Sequence, residues 1–336
     1  MKSIMKTLSR FVSAGLKLAG PAILLSLAVQ GAAAQDKWPD GPIQIIVSYG
    51  AGGGTDTLAR LLAEPLAKKL GQPVTVQNLP GAGGQVAASA LLREPPNGMT
   101  ILATNQPDLL MGVALNKAPY KAEDFRVIMA DLFDPRIMLV KSESKFASFG
   151  DFVDAAKAEP GKLAVSVSQG AAQELFAKWL FGALGLDVRL VGYNGGSAAA
   201  NAMIAGDTVA TIGDDFARFN LREQTKALVV GGAAKSPRWP EAATLTEALK
   251  PYGVTPPSPD FLARYGVYVV PSAFKAENPA AYAKLQAAMI AARESASFKD
   301  YITSNKLDDL SIGKPGEDFD AAFAKSIEGA KMAREK

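Results

Sequence analysis

Short apolar runs alternate with amphipathic segments along most of this 336-residue chain. The β-branched runs Ile43–Ser48 and Val74–Asn78 predict buried strands. Leucines recur on one helical face of Thr55–Leu70, and Gly71 follows directly, as is usual after a helix that ends in a glycine cap. Because strands and helices alternate in this way, we expect an α/β protein with parallel sheets covered by helices on both faces.

The alternation runs through two successive series that we expect to form two lobes. The first lobe is predicted from residues 35–125 plus about 260–336, and the second from residues 126–259. The chain should then cross between the lobes near 122–133 and near 255–265. Further strands are predicted at Thr100–Thr104, Val127–Ala130, Ile137–Val140, Leu163–Ser168, Val188–Val191, Val209–Ile212, Ala227–Val230 and Tyr265–Val270, and further helices at Gln85–Leu92, Phe149–Ala158, Ala172–Leu184, Ser197–Ala205, Pro279–Ser295 and Phe319–Arg334.

Glycine-rich loops follow the first two predicted strands. One loop reads Gly50-Ala-Gly-Gly-Gly-Thr55, the other reads Pro80-Gly-Ala-Gly-Gly84, and each precedes a predicted helix. Two helix N-termini at one sheet edge present unpaired N–H groups and partial positive charge, which favours an anion such as a carboxylate or a phosphate. A dinucleotide site is disfavoured, because the third glycine of G-x-G-x-x-G is missing and Asn78 stands where an acid would hold a ribose hydroxyl.

The first 34 residues have the composition of a secretory signal peptide. They carry four basic residues and no acid, then an apolar stretch that is short for a membrane span, then Ala32-Ala-Ala34 before Gln35. We therefore expect cleavage after Ala34 and export to the periplasm. Without this segment the chain has 32 basic and 33 acidic residues, so its charge gives no reason to expect a nucleic-acid partner.

The chain contains no cysteine and no histidine. Disulfides and thiolate metal sites are therefore excluded, and the commonest general base and metal ligand are missing. We expect neither a cofactor nor a bound metal. The composition favours a binding protein over an enzyme.

Several motifs give the chain a family resemblance. In order they are Trp38-Pro-Asp-Gly-Pro-Ile43, Gly52-Gly-Gly-Thr-Asp56, Ala59-Arg60, Leu70-Gly-Gln-Pro-Val74, Gln77-Asn78, Pro80-Gly-Ala-Gly-Gly84, Asn97-Gly-Met-Thr-Ile-Leu102 and Pro240-Glu-Ala-Ala-Thr-Leu-Thr-Glu247. With these motifs the mature chain resembles the substrate-binding proteins of tripartite tricarboxylate transporters, the Bug or TctC family. The resemblance is specific in the N-terminal block and weak in the last third.

The resemblance implies a type II periplasmic-binding-protein fold, with two α/β lobes and a ligand cleft between them. It also implies a small carboxylate that is held through backbone N–H groups and bridging waters and is delivered to a membrane permease of two subunits. We expect the protein to be a monomer. Loops from both lobes should line the cleft. The expected ligand-binding residues are Tyr49, Gly52, Gly53, Gly54, Thr55, Asp56, Gly81, Ala82, Gly83, Gly84, Thr104, Asn105, Ser168, Gln169, Gly170, Ala171, Tyr193, Asn194, Gly195 and Asp214.

Some of these residues also allow a purely structural interpretation. Asp56 is expected to orient water or to contact a polar group of the ligand, but an acid in the first turn also complements a helix dipole. Tyr49 is a core residue or a wall of the site, and Asn105 is a ligand donor or a helix cap. Arg136 and Arg218 are the two bases whose planar forks suit a carboxylate.

The chain departs from the family pattern in its ligand-facing loops. Ser48-Tyr-Gly-Ala51 replaces the usual prolines and phenylalanine, Glu174 replaces a frequent histidine, and the pair Asp214-Asp215 is unusually acidic. The leading hypothesis is a periplasmic solute receptor without catalytic activity. The alternatives are an exported ligand-sensing receptor and an α/β enzyme that acts on an organic acid, for which Asp214-Asp215 is the obvious acid pair.

Overall fold

Two six-stranded sheets organise the computed structural model, which describes residues 38–334. The first sheet consists of β1 (Ile43–Val47), β2 (Val74–Asn78), β3 (Thr100–Gln106), β4 (Phe125–Asp134), β11 (Arg264–Pro271) and β12 (Ser311–Pro315). The second consists of β5 (Arg136–Lys141), β6 (Ala164–Ser168), β7 (Arg189–Tyr193), β8 (Ala210–Asp214), β9 (Thr225–Val230) and β10 (Ala243–Thr244). Both sheets lie in the compact unit that begins at Gly41.

The two sheets share one arrangement in five of their six strands; the sixth strand pairs antiparallel in the first sheet, β12 with β4, and parallel in the second, β10 with β9. Their orders are β2-β1-β3-β11-β4-β12 and β7-β6-β8-β5-β9-β10. In each sheet three parallel strands are followed by one strand, β11 or β5, that runs antiparallel to both of its neighbours. The prediction of purely parallel sheets is therefore wrong, because strand–helix alternation does not reveal that a strand has entered the sheet from the opposite end.

Helices cover the sheets much as the periodicity predicts. They are α1 (Gly54–Leu70), α2 (Gln85–Leu91), α3 (Asp108–Asn116), α4 (Phe149–Ala158), α5 (Ala172–Ala183), α6 (Gly196–Ala205), α7 (Leu245–Leu249), α8 (Ser272–Glu277), α9 (Pro279–Arg293), α10 (Ala296–Ser304) and α11 (Asp320–Arg334). Helix α1 buries Leu58, Leu62 and Leu66 and ends at Gly71, whose left-handed conformation lets its N–H bond to Ala67 O at 2.9 Å.

The chain passes from the first sheet to the second at Pro135, between β4 and β5. Strand β4 pairs with β11 and β12, so the strand predicted at Val127–Ala130 belongs to the first sheet and not to the second series. A β-branched run predicts a strand but not its neighbours, which explains the error. The sheets thus divide about ten residues later than the expected lobe boundary at 125/126, which itself stays a prediction.

Short elements escaped the sequence prediction. Helices α3, α8 and α10 and strand β12 have at most nine residues each, so their periodicity is too brief to detect. No helix within residues 38–334 combines the length and apolar character needed to span a bilayer. The predicted signal peptide, residues 1–34, lies outside the described residues.

Candidate ligand-binding site

Residues that follow the parallel strands of both sheets line one charged cavity of about 40 Å³. We call it the arginine cavity. Its first-lobe lining is Tyr49, Gly50, Gly53, Gly54, Thr55, Asn105, Asp108 and Arg264, and its second-lobe lining is Arg136, Ser168, Ala171, Gln173, Ser197, Asp214, Ala217 and Arg218. The cavity lies where open α/β sheets bind ligands, at the carboxyl ends of parallel strands.

A second, smaller cavity of about 10 Å³ adjoins the first and shares Tyr49 and Ser168 with it. We call it the glycine cavity. Its remaining lining residues are Ser48, Pro80, Gly81, Gly83, Gly84, Gln169, Asn194 and Gly195. The structure therefore brings most of the predicted loop residues to one place, between the two lobes.

Two glycines allow the lobes to touch. A Cβ atom at Gly83, which has a φ of +64°, would lie 2.7 Å from Gly170 O in the opposite lobe. A Cβ atom at Gly54 would lie 3.1 Å from the Ala217 Cβ. Real side chains do not tolerate the first of these distances, so the glycine loops serve the close approach of the lobes as well as any ligand.

Each sheet places one arginine–aspartate pair at the cavity, where Arg136, Asp214 and Arg264 line the wall and Asp134 does not. Strand β11 begins with Arg264 opposite Asp134 at the end of β4, and β5 begins with Arg136 opposite Asp214 at the end of β8. Each pair forms a salt bridge, and all four side chains are buried. An antiparallel strand starts at the edge where its neighbours end, and this brings both arginines to the cleft.

The first-lobe pair also ties neighbouring loops together. Arg264 Nη1 donates to Thr55 Oγ1 at 3.0 Å and lies 3.3 Å from Asn105 Oδ1. Asp134 accepts a bond from the backbone N–H of Phe216, in the second lobe, at 2.8 Å. Burial raises the pKa of Asp134 to about 6, even though the neighbouring Arg264 guanidinium favours the carboxylate.

Asp108, the first residue of α3, binds the N-terminus of a helix in the opposite lobe. Its Oδ1 accepts from the backbone N–H of Ala172 at 2.7 Å, and its Oδ2 accepts from the Tyr49 hydroxyl at 2.8 Å. The N-cap residue of α5, Ala171, supplies no side-chain cap. Burial raises the pKa of Asp108 above its ordinary value. The N-terminus of α5, which follows the predicted ligand loop Ser168–Ala171, is thus occupied by a carboxylate of the protein itself.

Four buried polar atoms of residues that line the arginine cavity have no hydrogen-bond partner within residues 38–334. They are Arg218 Nε, Arg136 Nη2, Gln173 Oε1 and Arg264 Nε, the last of which lies 3.7 Å from Asp214 Oδ2. Arg218 is 5% exposed and has no salt bridge to any described residue, and burial lowers its pKa. Because buried polar atoms are normally paired, these atoms indicate what the cavity is shaped to bind.

Asp56 has protein partners of its own. It accepts bonds from the backbone N–H of Gly52 at 2.9 Å, from Asn78 Nδ2 at 2.9 Å and from Arg60. Burial raises its pKa, but these bonds outweigh that effect and hold the pKa below its ordinary value. Asp56 does not line the arginine cavity, so the geometry favours the structural interpretation over the expected ligand contact.

Other predicted residues support the loops from behind. The Tyr193 carbonyl accepts bonds from the N–H groups of Gln169 and Gly195, both at 2.9 Å. Ala82 lies in the turn before α2 with a φ of +48°, and Thr104 is buried within β3. None of Tyr193, Ala82 and Thr104 lines the arginine cavity or the glycine cavity.

Sequence reasoning missed Asp108, Gln173 and Arg264, and it noted Arg136 and Arg218 without placing them in the site. Asp108 lies two residues after the end of the third strand, so the rule that ligands bind at strand ends could have found it. Arg264 could not be placed at the cleft from the sequence, since its position there depends on the antiparallel direction of β11.

Two α/β lobes that enclose a charged cleft at their strand ends define the class of type II periplasmic binding proteins. The chain belongs to the tripartite tricarboxylate transporter family of receptors, TctC, whose family model matches residues 58–314. The family and the fold predicted from the sequence are therefore confirmed.

Known proteins agree with this placement. The chain is 30% identical to protein BugT of Bordetella pertussis over 66% of its own length and 70% of that protein. Among solved structures it resembles the periplasmic binding protein BugD, with a TM-score of 0.77, 20% identity, and coverage of 89% and 98% of the two chains. It also resembles MatC of Rhodopseudomonas palustris with bound malate, with a TM-score of 0.73, 22% identity, and coverage of 89% and 97%. A further R. palustris protein, Rpa4515 with adipate, gives a TM-score of 0.75, 24% identity, and coverage of 88% and 98%.

Proposed function

We propose that this chain is a periplasmic receptor that binds a small carboxylate between its lobes and passes it to a two-subunit membrane permease, without catalysis. The observation that carries the proposal is Arg218. Its side chain is buried, lines the arginine cavity and has no anionic partner within ion-pair distance in the described chain. Malate and adipate are bound by two proteins of similar fold, which supports a carboxylate as the ligand class.

A bound carboxylate would give the buried Arg218 guanidinium the anionic partner that it lacks within the described chain. Burial of an unpaired guanidinium is unfavourable, and a bidentate carboxylate is the anion that matches its fork. Arg136 Nη2 faces the same cavity and offers a further donor. The glycine loops would add backbone N–H groups, as the sequence predicts.

Ligand entry requires the lobes to separate. The arginine cavity measures about 40 Å³, and Asp108 bridges to Ala172 across the cleft. We propose a hinge motion about the two places where the chain crosses between the sheets, at Pro135 and within residues 255–263. Closure would then bury the ligand between the glycine loops and Arg218.

The enzyme alternative loses its main candidate. Asp214 forms a salt bridge with Arg136 in the cavity, whereas Asp215 forms one with Arg238, which also binds Asp309. Asp215 does not line the arginine cavity. The two carboxylates therefore do not act on a common point, as a catalytic acid pair would.

A thermal-shift screen of mono-, di- and tricarboxylates tests the proposal. A ligand present at 100 times its Kd should stabilise the folded protein by about 2.7 kcal/mol. By calorimetric titration, Arg218→Ala should weaken the best ligand about 10- to 150-fold, the effect of a lost bond to a charged group. Arg222→Ala is the matched control, because Arg222 lies four residues away, pairs with Glu241 and is partly exposed. Equal affinity in all three proteins would contradict the role of Arg218.

Delivery and location need separate tests. Cells that carry the permease genes should take up the labelled ligand only when this chain is also present. Mass spectrometry of the exported protein should find Gln35 as its N-terminus. Uptake without the chain, or an intact Met1 on the exported form, would argue against transport or cleavage respectively.

A further inference from the structure

The charged side chains around the arginine cavity balance one another. Three arginines and two aspartates line it, and a third aspartate, Asp134, forms a salt bridge with the lining residue Arg264 without lining the cavity; each of the six is at most 6% exposed. They are Arg136, Arg218, Arg264, Asp108, Asp134 and Asp214. With all six ionised, their charges cancel. A ligand with a net charge would therefore leave an uncompensated charge in a buried place, which is costly.

Two of these six residues form no salt bridge within the described chain. Asp134 and Asp214 form salt bridges with arginines, but Asp108 forms none to any of the described residues and accepts from two neutral donors instead. Arg218 likewise has no salt bridge within residues 38–334. The cavity therefore contains one positive and one negative group, both buried and both without an opposite charge in direct contact.

The unpaired hydrogen-bonding atoms repeat this pattern. Arg218 Nε, Arg136 Nη2 and Arg264 Nε are donors; Arg264 Nε has Asp214 Oδ2 at 3.7 Å, whereas the other two require an acceptor. Gln173 Oε1 is an acceptor, and its orientation is fixed because Gln173 Nε2 donates to the Asp214 carboxylate at 2.8 Å. A carboxylate accepts only, so the amide nitrogen must face Asp214 and the amide oxygen must face away. The ligand has to accept at one end and donate at the other.

We propose that the arginine cavity binds a net-neutral zwitterion, a small ammonium carboxylate of the amino-acid class, and not a dicarboxylate. The ligand carboxylate pairs with Arg218 and Arg136, while the ammonium group lies between Asp108 and Gln173 Oε1. The sum of the buried charges stays unchanged on binding. A quaternary ammonium is disfavoured because it has no N–H for Gln173, and the small cavity favours a short side chain. This inference rests on the proposed function and narrows it to one ligand class.

Calorimetric titration of the wild-type protein tests the zwitterionic ligand separately from the broader proposal of a carboxylate receptor. The probes are glycine, L-alanine and L-serine, the amino-free analogue propanoate, and the dicarboxylates malate and succinate. We expect at least one amino acid to bind, with propanoate at least tenfold weaker than L-alanine and both dicarboxylates weaker still. Binding of malate or succinate but of none of the amino acids would overturn the zwitterion and leave the carboxylate receptor intact. No binding of any probe, together with no hit in the wider carboxylate screen, would overturn both.

Asp108→Asn tests the ammonium contact. The amide oxygen can still accept from Ala172 N, so the bridge between the lobes is retained while the negative charge is removed. We expect the affinity for the amino acid to fall at least tenfold and the affinity for propanoate to rise, because the six-residue charge sum becomes positive. A purely structural role for Asp108 would weaken both ligands alike and would overturn the assignment.

Asp151→Asn is the matched control for that variant. Asp151 lies in the first turn of α4 and caps it through Ser148, away from the cavity. Its replacement should leave both affinities unchanged. Melting curves of both variants establish that the proteins compared are folded.

Discussion

The junctions β1–α1 in the first lobe and β6–α5 in the second use the same device. In each, an acid in the first helical turn accepts from the N–H of a glycine four residues earlier, Asp56 from Gly52 at 2.9 Å and Glu174 from Gly170 at 2.8 Å. Each acid also pairs with a base one turn later, Arg60 or Lys178. The acid thus holds the loop against its own helix in both lobes.

The two junctions differ in whether residues of their own lobe are sufficient to hold them. Asp56 is buried and gains a further bond from Asn78, so the first loop is held entirely by its own lobe. Glu174 is partly exposed, and the N-terminus of α5 receives its cap from Asp108 in the other lobe. The comparison indicates that the first lobe presents a preformed loop, whereas the second is completed only when the lobes meet.

The largest expected effect comes from blocking that meeting. Gly83→Ala places a Cβ atom 2.7 Å from Gly170 O, so the lobes cannot close and ligand affinity should fall at least 100-fold, which corresponds to about 2.8 kcal/mol. Gly185→Ala is the control, because Gly185 also has a positive φ but a Cβ there meets nothing within 4 Å. Calorimetric titration with the best ligand measures both, and equal losses would mean that backbone strain, not closure, is responsible.

Arg218 provides the next test, because it belongs to the second lobe, whose β6–α5 junction is completed only when the lobes meet. Without ligand, Arg218→Met should raise the free energy of unfolding by about 1–3 kcal/mol, since it removes a buried donor, Arg218 Nε, that has no hydrogen-bond partner within the described chain. With saturating ligand, the wild-type protein should have the higher free energy of unfolding. Chemical denaturation with and without ligand measures this, and a variant less stable than wild type in both conditions would contradict the interpretation.

The two acids should differ in their cost to stability. Asp56→Ala leaves the Gly52 and Asn78 donors without their partner and should lower the free energy of unfolding by about 1–3 kcal/mol. Glu174→Ala breaks a partly exposed pair and should cost about 1 kcal/mol or less. Denaturation curves give both values. Equal costs would show that the two junctions are alike after all.

The smallest effect is a difference in acid sensitivity. Hydrogen bonds hold the pKa of Asp56 below its ordinary value, so its stabilising contribution is fully present above the unfolded-state pKa and is lost as the pH falls through the folded-state pKa. The stability difference between wild type and Asp56→Ala should therefore shrink on acidification below about pH 4. If the stability difference stays constant down to pH 2, the contribution of Asp56 comes from packing and not from its charge.

The sequence predicted the elements better than their arrangement. Helix Phe149–Ala158 was predicted to the residue, because its periodicity and its capping box are local signals. The sheet that holds β4 and the direction of β5 and β11 depend on distant pairings, which local periodicity does not encode. The glycine loops of the site were found because the residues of each loop are consecutive in the sequence. Arg264 and Asp108 were not, because the fold alone brings them together.

The two cavity arginines at strand starts are also the residues next to the crossings. Arg136 directly follows Pro135, and Arg264 directly follows the second crossing, within residues 255–263. In a rotation about these crossings, groups near the axis travel little. Each arginine pairs with an aspartate of its own sheet, so an open receptor would keep both salt bridges almost in place, and the ligand would meet a preformed charged surface before the lobes begin to close.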